Sequence, residues 1–255
     1  ALREEVFGAL GKGMRTARHP PRSRMKFGTS GWRGLLFEDF TVANVQRVTQ
    51  AVVDVLLGGD AAILAAVGVK DAAELRRRGA VLAHDTRFFG PELALAAAAV
   101  LLAHDIPVAY LGVATTPEVS TALYQLGAAF SINLTPSHNP YGYHGYKFNP
   151  ADGGPATREL TGPIERRANE IFGGDLPVRA LTDAELAAAR DSGRLRDEDP
   201  VALYRASLEA RLPFLSPERL AARMNAAGLD LFIDHGFGAT IGKYQALLAS
   251  VDPGR

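Results

Sequence analysis

Between residues 80 and 134 the chain alternates short apolar runs with longer helix-patterned segments, and this alternation restricts the fold more than any other feature. Residues 80–83 form an apolar run closed by His84 and Asp85; Gly90 and Pro91 then open an Ala/Leu helix reaching about His104. Residues 106–111 read as the next strand, Thr116 as the cap of a helix with Pro117 at its first position, and Gly127 as its end. Residues 128–134 are a further strand. Strands and helices at this spacing predict βαβ units, hence an α/β fold with a mixed, mostly parallel sheet flanked by helices on both faces. Ligands of such sheets bind beyond the carboxyl ends of the strands, which directs attention to the residues after 84 and 134.

Outside this block, Val42, Val45, Val48, Val52 and Val55 follow helical spacing, so residues 41–57 predict an amphipathic helix. A helix over about 157–172, with Thr157 as cap, precedes a looser stretch holding the capping box Thr182 to Glu185. Helices are expected from about 199 and from Ser216, then a strand over 229–234, a glycine loop and a helix to Ser250. Residues 231–236 echo 81–85, which suggests the start of a second, similar α/β domain. The expected division is a basic N-terminal arm over 1–26, a first domain over 27–192, and a linker with the incomplete beginning of the second domain over 193–255.

Composition narrows the function classes. Lys plus Arg and Asp plus Glu both total 28 in 255 residues, so no net field draws the chain to nucleic acid or to an anionic membrane. The seven basic residues of the arm, Arg3 to Lys26, lack aromatic interleaving and read as a solvated leader helix or an anion contact. Cysteine is absent, which excludes disulfides, thiolate metal sites and cysteine nucleophiles and is compatible with the cytoplasmic location expected here. The longest apolar run, Leu93 to Ala103, has 11 residues, against about 20 needed to span a bilayer. No nucleic-acid or membrane partner is expected.

Three constellations could carry chemistry. The densest is 133–147, where Ser137 follows a predicted strand in a loop bracketed by Pro136 and Pro140. From 119 to 151 there is no carboxylate across 33 residues; average density would place about four there. Lys147 is the one formal charge, with His138 and His144 as titratable neighbours, so the segment welcomes an anion. A phosphate on Ser137 facing a phosphorylated ligand would require more: two dianions about 6 Å apart repel by on the order of 11 kcal/mol at an effective dielectric near 20. A divalent metal and further cations would then be needed. Ser-His-Asn-Pro also reads as an ordinary turn, and no nearby carboxylate orients His138 for a hydrolase triad. The second constellation is Gly28 to Gly34, in which Thr29, Ser30 and Arg33 can contact a phosphate. The third is Asp85, Thr86, Arg87, where Asp and Arg can pair with each other as readily as with a ligand.

The ordered set GTSGWRG (28–34), DTR (85–87), TPSHNP (135–140), GYK (145–147) and DGGP (152–155) resembles the α-D-phosphohexomutase family, in particular bacterial phosphoglucomutase/phosphomannomutase. The resemblance implies that Ser137 is a phosphoserine that interconverts hexose 1-phosphate and hexose 6-phosphate of glucose and/or mannose through a hexose 1,6-bisphosphate. It implies catalytic roles for His138, Lys147 and Arg33, with the general base open between Lys147 and Arg33. It implies phosphate or substrate contacts from Thr29, Ser30, Arg87 and Asn139, and Mg2+ bound through the Ser137 phosphate. The enzyme would be a monomer or homodimer acting on a hexose phosphate.

The chain departs from the family pattern at Pro136, where Ala is common, at His144, where Asn is common, and at Asp234-His235-Gly236, two residues shorter than usual. The family's Asp-Gly-Asp-x-Asp-Arg metal loop, its sugar loop and its C-terminal phosphate loop have no counterpart. The remaining metal ligands are therefore expected beyond Arg255, in a four-domain enzyme of which this segment alone would be inactive. Phosphoglucosamine mutase is the alternative, although Trp32 stands in a motif that usually reads Gly-Thr-Asp-Gly there. A naturally short, non-catalytic sugar-phosphate-binding module is the alternative from another class.

Overall fold

A computed structural model describes residues 2–28, 31–174 and 176–247. Helix α1 (Leu2–Thr16) leads by an extended stretch to β1 (Trp32–Leu35) and to α2 (Val42–Leu57), α3 (Ala61–Val67) and α4 (Ala72–Arg78). Then β2 (Ala80–His84), α5 (Gly90–Ala103), β3 (Val108–Val113), α6 (Thr116–Gln125) and β4 (Phe130–Leu134) realise the alternation expected from the sequence. Strand β5 (Tyr143–Pro150), α7 (Arg158–Gly173), α8 (Asp183–Asp191) and β6 (Leu195–Asp197) complete the sheet and its cover. Helices α9 (Pro200–Arg211), α10 (Pro217–Ala226) and α11 (Lys243–Leu247) follow, with a 3-10 turn at Pro213–Leu215.

The sheet order is β1-β5-β4-β2-β3-β6; β2 runs parallel to β3 and β4, β3 parallel to β6, and β5 antiparallel to both β4 and β1. The α/β class and the helices on both faces are as expected. On one face α2, α5 and α7 bury the main core, with Val45, Val48, Val52 and Leu56 of α2 wholly inaccessible. Helix spacing puts these four on one side of α2, and Thr41 begins the helix by accepting the Asn44 N–H at 3.2 Å. On the other face α6 packs Val119, Ala122 and Leu123 on Val81, Ala83, Ala109 and Leu111. Strands β2 and β4 are buried along their whole length, which explains their unbroken apolar character. No single helix among the described residues is long and apolar enough to cross a membrane.

Several expectations are corrected. Residues 32–35 and 143–150, which carry no strand signal in the sequence, are strands, because β5 pairs on both edges and glycines do not prevent that. The cap of α6 is Thr115, not Thr116: its hydroxyl accepts the Glu118 N–H while Glu118 accepts the Thr115 N–H. The sheet continues past residue 192, since β6 pairs with β3. Residues 229–234, expected as a strand, are irregular, with Phe232 92% exposed. No described strand lies beside them to take their backbone hydrogen bonds, which an isolated strand cannot do without. Residues 200–247 thus contribute helices, and the expected helix end at Ser250 lies outside the described residues. The basic arm holds α1, fixed by buried Met14 and by the ion pairs Arg15–Glu92 and Arg22–Glu38.

Candidate active site

The parallel register pairs Ala83 with Asn133 and His84 with Leu134, so β2 and β4 end level with each other. The segments that follow, Asp85 to Arg87 and Thr135 to Pro140, therefore emerge side by side at the carboxyl edge of the sheet. The Asp85 N–H donates to the Leu134 carbonyl at 3.1 Å and seals the two together.

Ser137 occupies the left-handed region at φ 65°, which a non-glycine residue adopts only where its surroundings impose it. Three groups impose it. Its N–H donates to Thr135 Oγ1 at 3.0 Å. The guanidinium of Arg87 donates to the carbonyls of Ser137 (3.3 Å), Pro140 (2.7 Å), Tyr143 (3.3 Å) and, most closely, Asn139. Gly145 of β5 passes against the loop where any Cβ would collide with the Thr135 carbonyl and Pro136. Arg87 is itself paired with Asp85, Nε to Oδ2 at 3.4 Å. The side chain expected to bind substrate phosphate is thus turned onto the backbone of the serine loop. Ser137 Oγ lies 3.3 Å from His138 Nδ1.

The antiparallel pairings bring the remaining cations to this edge. Arg33 of β1 is opposite Gly145, and Lys147, two residues along β5, is on the same face. Arg33 donates to Asn139 Oδ1 at 3.0 Å, which ties it to the serine loop. Lys147 is half-buried and its Nζ has no hydrogen bond or ion pair among the described residues. Burial, then the nearby Arg33 charge, push its amine below the ordinary lysine range, with Asp85 acting the other way. Ser137, His138, Lys147, Arg33, Arg87 and Asn139 are therefore gathered at one edge; Thr29 and Ser30 lie outside the described residues.

His144 is placed differently from the expectation of a titratable group in the site. It points into the core beside Phe40, its Nδ1 accepting the Gly145 N–H at 3.0 Å, and burial pushes it down to about 4. It is neutral at physiological pH.

Of the gathered groups, Lys147 lines a smaller hollow of about 140 Å³, while Ser137, His138 and Arg87, together with Asp85 and Thr135, line a cleft of about 1100 Å³. Two of its walls were not anticipated: Phe7 and Leu10 from α1, and Gly236 to Ala239 from the segment before α11. The latter is anchored by Thr86 Oγ1 donating to the Phe237 carbonyl at 2.8 Å. It is anchored again by Lys243, which meets Glu118 Oε1 at 3.2 Å and donates to the Val113 carbonyl at 2.8 Å. Asn133 also lines the cleft and was missed as a site residue. Its signal was a polar residue between Ile132 and Leu134 in a strand otherwise destined for burial.

A serine in a strained, rigidly held loop, with Arg87 bonded to that loop and Arg33 tied to it through Asn139, is equipped to carry a phosphoryl group. Residues 24–173 match the family model described as phosphoglucomutase/phosphomannomutase, alpha/beta/alpha domain I. The chain belongs to this family, the α-D-phosphohexomutases. A phosphoglucosamine mutase of Frankia casuarinae is 35% identical over 73% of this chain and 37% of its own length. One of Frankia alni is 34% identical over 84% of this chain and 47% of its own. The chain thus spans less than half the length of these relatives. The open-form crystal structure of the parafusin phosphoprotein pp63 from Paramecium, also titled a phosphoglucomutase, superposes with a TM-score of 0.67 at 17% identity, covering 92% of this chain and 43% of that one, and shares the fold.

The family generally uses Mg2+. Among the described residues no group of three or more His, Asp or Glu is placed to hold a metal, and Asp85 is engaged by Arg87. These residues do not by themselves fit the ion; a phosphate on Ser137 would be their one contribution to it.

Proposed function

We propose that this chain is the phosphoserine-bearing portion of a phosphohexomutase that interconverts hexose 1-phosphate and hexose 6-phosphate, of glucose and/or mannose, through a hexose 1,6-bisphosphate. The observation that carries the reading is Ser137, held at positive φ at the carboxyl edge of the sheet by Arg87 and Thr135. In the forward transfer a sugar hydroxyl oxygen attacks phosphorus and its proton passes to neutral Lys147, while the bond from phosphorus to Ser137 Oγ breaks and the serine oxygen takes a proton from His138. The lowered proton affinity of Lys147 favours it over Arg33 as this base. In the second transfer Ser137 Oγ attacks the phosphorus at the other end of the bisphosphate and gives its proton to His138, the bond from that phosphorus to the sugar oxygen breaks, and Lys147 returns its proton to the sugar oxygen. Arg33, fixed through Asn139, and His138 supply positive charge and hydrogen bonds where phosphate charge accumulates. We place the enzyme in the cytoplasm.

The Frankia relatives favour phosphoglucosamine mutase as a second reading, with the same phosphoserine chemistry on a 2-amino sugar. Coupled assays of the full-length gene product on the 1-phosphates of glucose, mannose and glucosamine separate the two. Turnover of the first or second supports the primary reading; turnover of glucosamine 1-phosphate alone supports the second. Sugar-phosphate binding without turnover of any would support a non-catalytic module instead.

A further inference from the structure

Three buried polar atoms have no hydrogen-bond partner among the described residues: Ser131 Oγ, Asn133 Oδ1 and His144 Nε2. Of these residues Asn133 is the one that borders the Ser137 cleft. It is 2% exposed and stands on β4, four residues before Ser137. Its neighbour on β2 is Ala83, and α6 presents Val119, Ala122 and Leu123 to this face, so the apolar packing offers it nothing polar. Across β5 its register partner is Lys147. Residues directly opposite in an antiparallel pair point to the same face with Cβ atoms about 5 Å apart. Thr116, the first residue of α6, lines the same cleft and also a smaller hollow beside Lys147. A buried amide left without a partner in a folded protein calls for a specific explanation. Here the residue borders the cleft that Ser137 and His138 line, with Lys147 opposite it on β5.

We infer that Asn133 is a substrate-contact residue, whose side-chain amide takes a hydrogen-bond donor on the hexose ring, a hydroxyl or an amino group, and holds the ring on the cleft floor beside Lys147. The inference rests on the phosphohexomutase reading and assigns that site a polar floor contact. An amide both donates and accepts, and a hydroxyl answers both roles, whereas an ammonium answers the acceptor alone. The 1-phosphates of glucose, mannose and glucosamine are therefore the probes that distinguish the two donors.

The test is Asn133→Leu in the full-length gene product, a change close in volume that removes the amide from apolar surroundings. The thermal midpoint is expected to hold or rise, because no protein partner is lost. The KM for the preferred hexose 1-phosphate is expected to rise by about 10-fold, the size of one lost hydrogen bond. A ring-deoxy analogue lacking the contacted group should bind wild type and variant equally. An unchanged KM overturns the inference, as does a fall in thermal midpoint with KM unchanged, which marks a structural amide. Should the leucine variant not fold, Asn133→Ala carries the same KM criterion without overpacking. If the wild type turns over none of the three sugars, the functional reading itself falls and takes this inference with it.

Discussion

Arg87 donates to the main-chain carbonyl of Ser137 at 3.3 Å, so the serine loop is held from the segment that follows β2. Three further loop carbonyls converge on the same guanidinium. A planar, multiply donating cation suits this task; an ammonium on a flexible stem does not.

Replacing Arg87 tests that relationship. Arg87→Lys keeps the charge beside Asp85 but cannot serve four carbonyls, and a misplaced reacting group can cost up to about 100-fold in rate. A fall of about 10- to 100-fold in kcat with a smaller change in KM is expected. Exogenous guanidine should partly restore Arg87→Ala, measured as turnover against guanidine concentration.

His144 sets an acid dependence on stability. Its folded-state value of about 4 lies below the ordinary 6.5, so between these values the unfolded chain binds the proton more readily. Its contribution is complete above pH 6.5 and is lost as pH falls towards 4. The shift corresponds to about 3 kcal/mol as an order of magnitude. Urea denaturation at pH 7 and pH 4.5 should show His144→Asn losing much less stability on acidification than the wild type.

Lys243 and Glu118 join the C-terminal segment to the cap of α6, with side chains 13% and 5% exposed. Lys243→Met strands a buried carboxylate, which should destabilise by about 2–3 kcal/mol. The double change with Glu118→Gln should recover a large part of that. Limited proteolysis in the glycine loop over 236–242 should be faster in the single variant, since the wall of the cleft loses its anchor.

Much of this architecture was legible because burial on both faces leaves a continuous apolar signature, as at 80–84 and 130–134. Periodic valines marked α2 equally well, and the uncharged surroundings of Ser137 marked the site. What stayed hidden depends on tertiary pairing. Residues 143–150 carry turn-forming glycine and proline, and become β5 only because β1 and β4 supply partners on both sides. Residues 229–234 have strand composition and no such partner. The hold of Arg87 on the serine loop was hidden because the carbonyls it meets come from 50 or more residues away. Asn133 sits within a strand, and its place on the cleft follows only from the fold.

Phosphopeptide mass spectrometry of the full-length gene product purified from cells tests most directly whether Ser137 carries the phosphoryl group. Phosphate on Ser137, its loss on incubation with hexose phosphate, and no mutase turnover in Ser137→Ala are expected. A Ser137 that is never phosphorylated, with turnover unchanged in Ser137→Ala, would contradict that role.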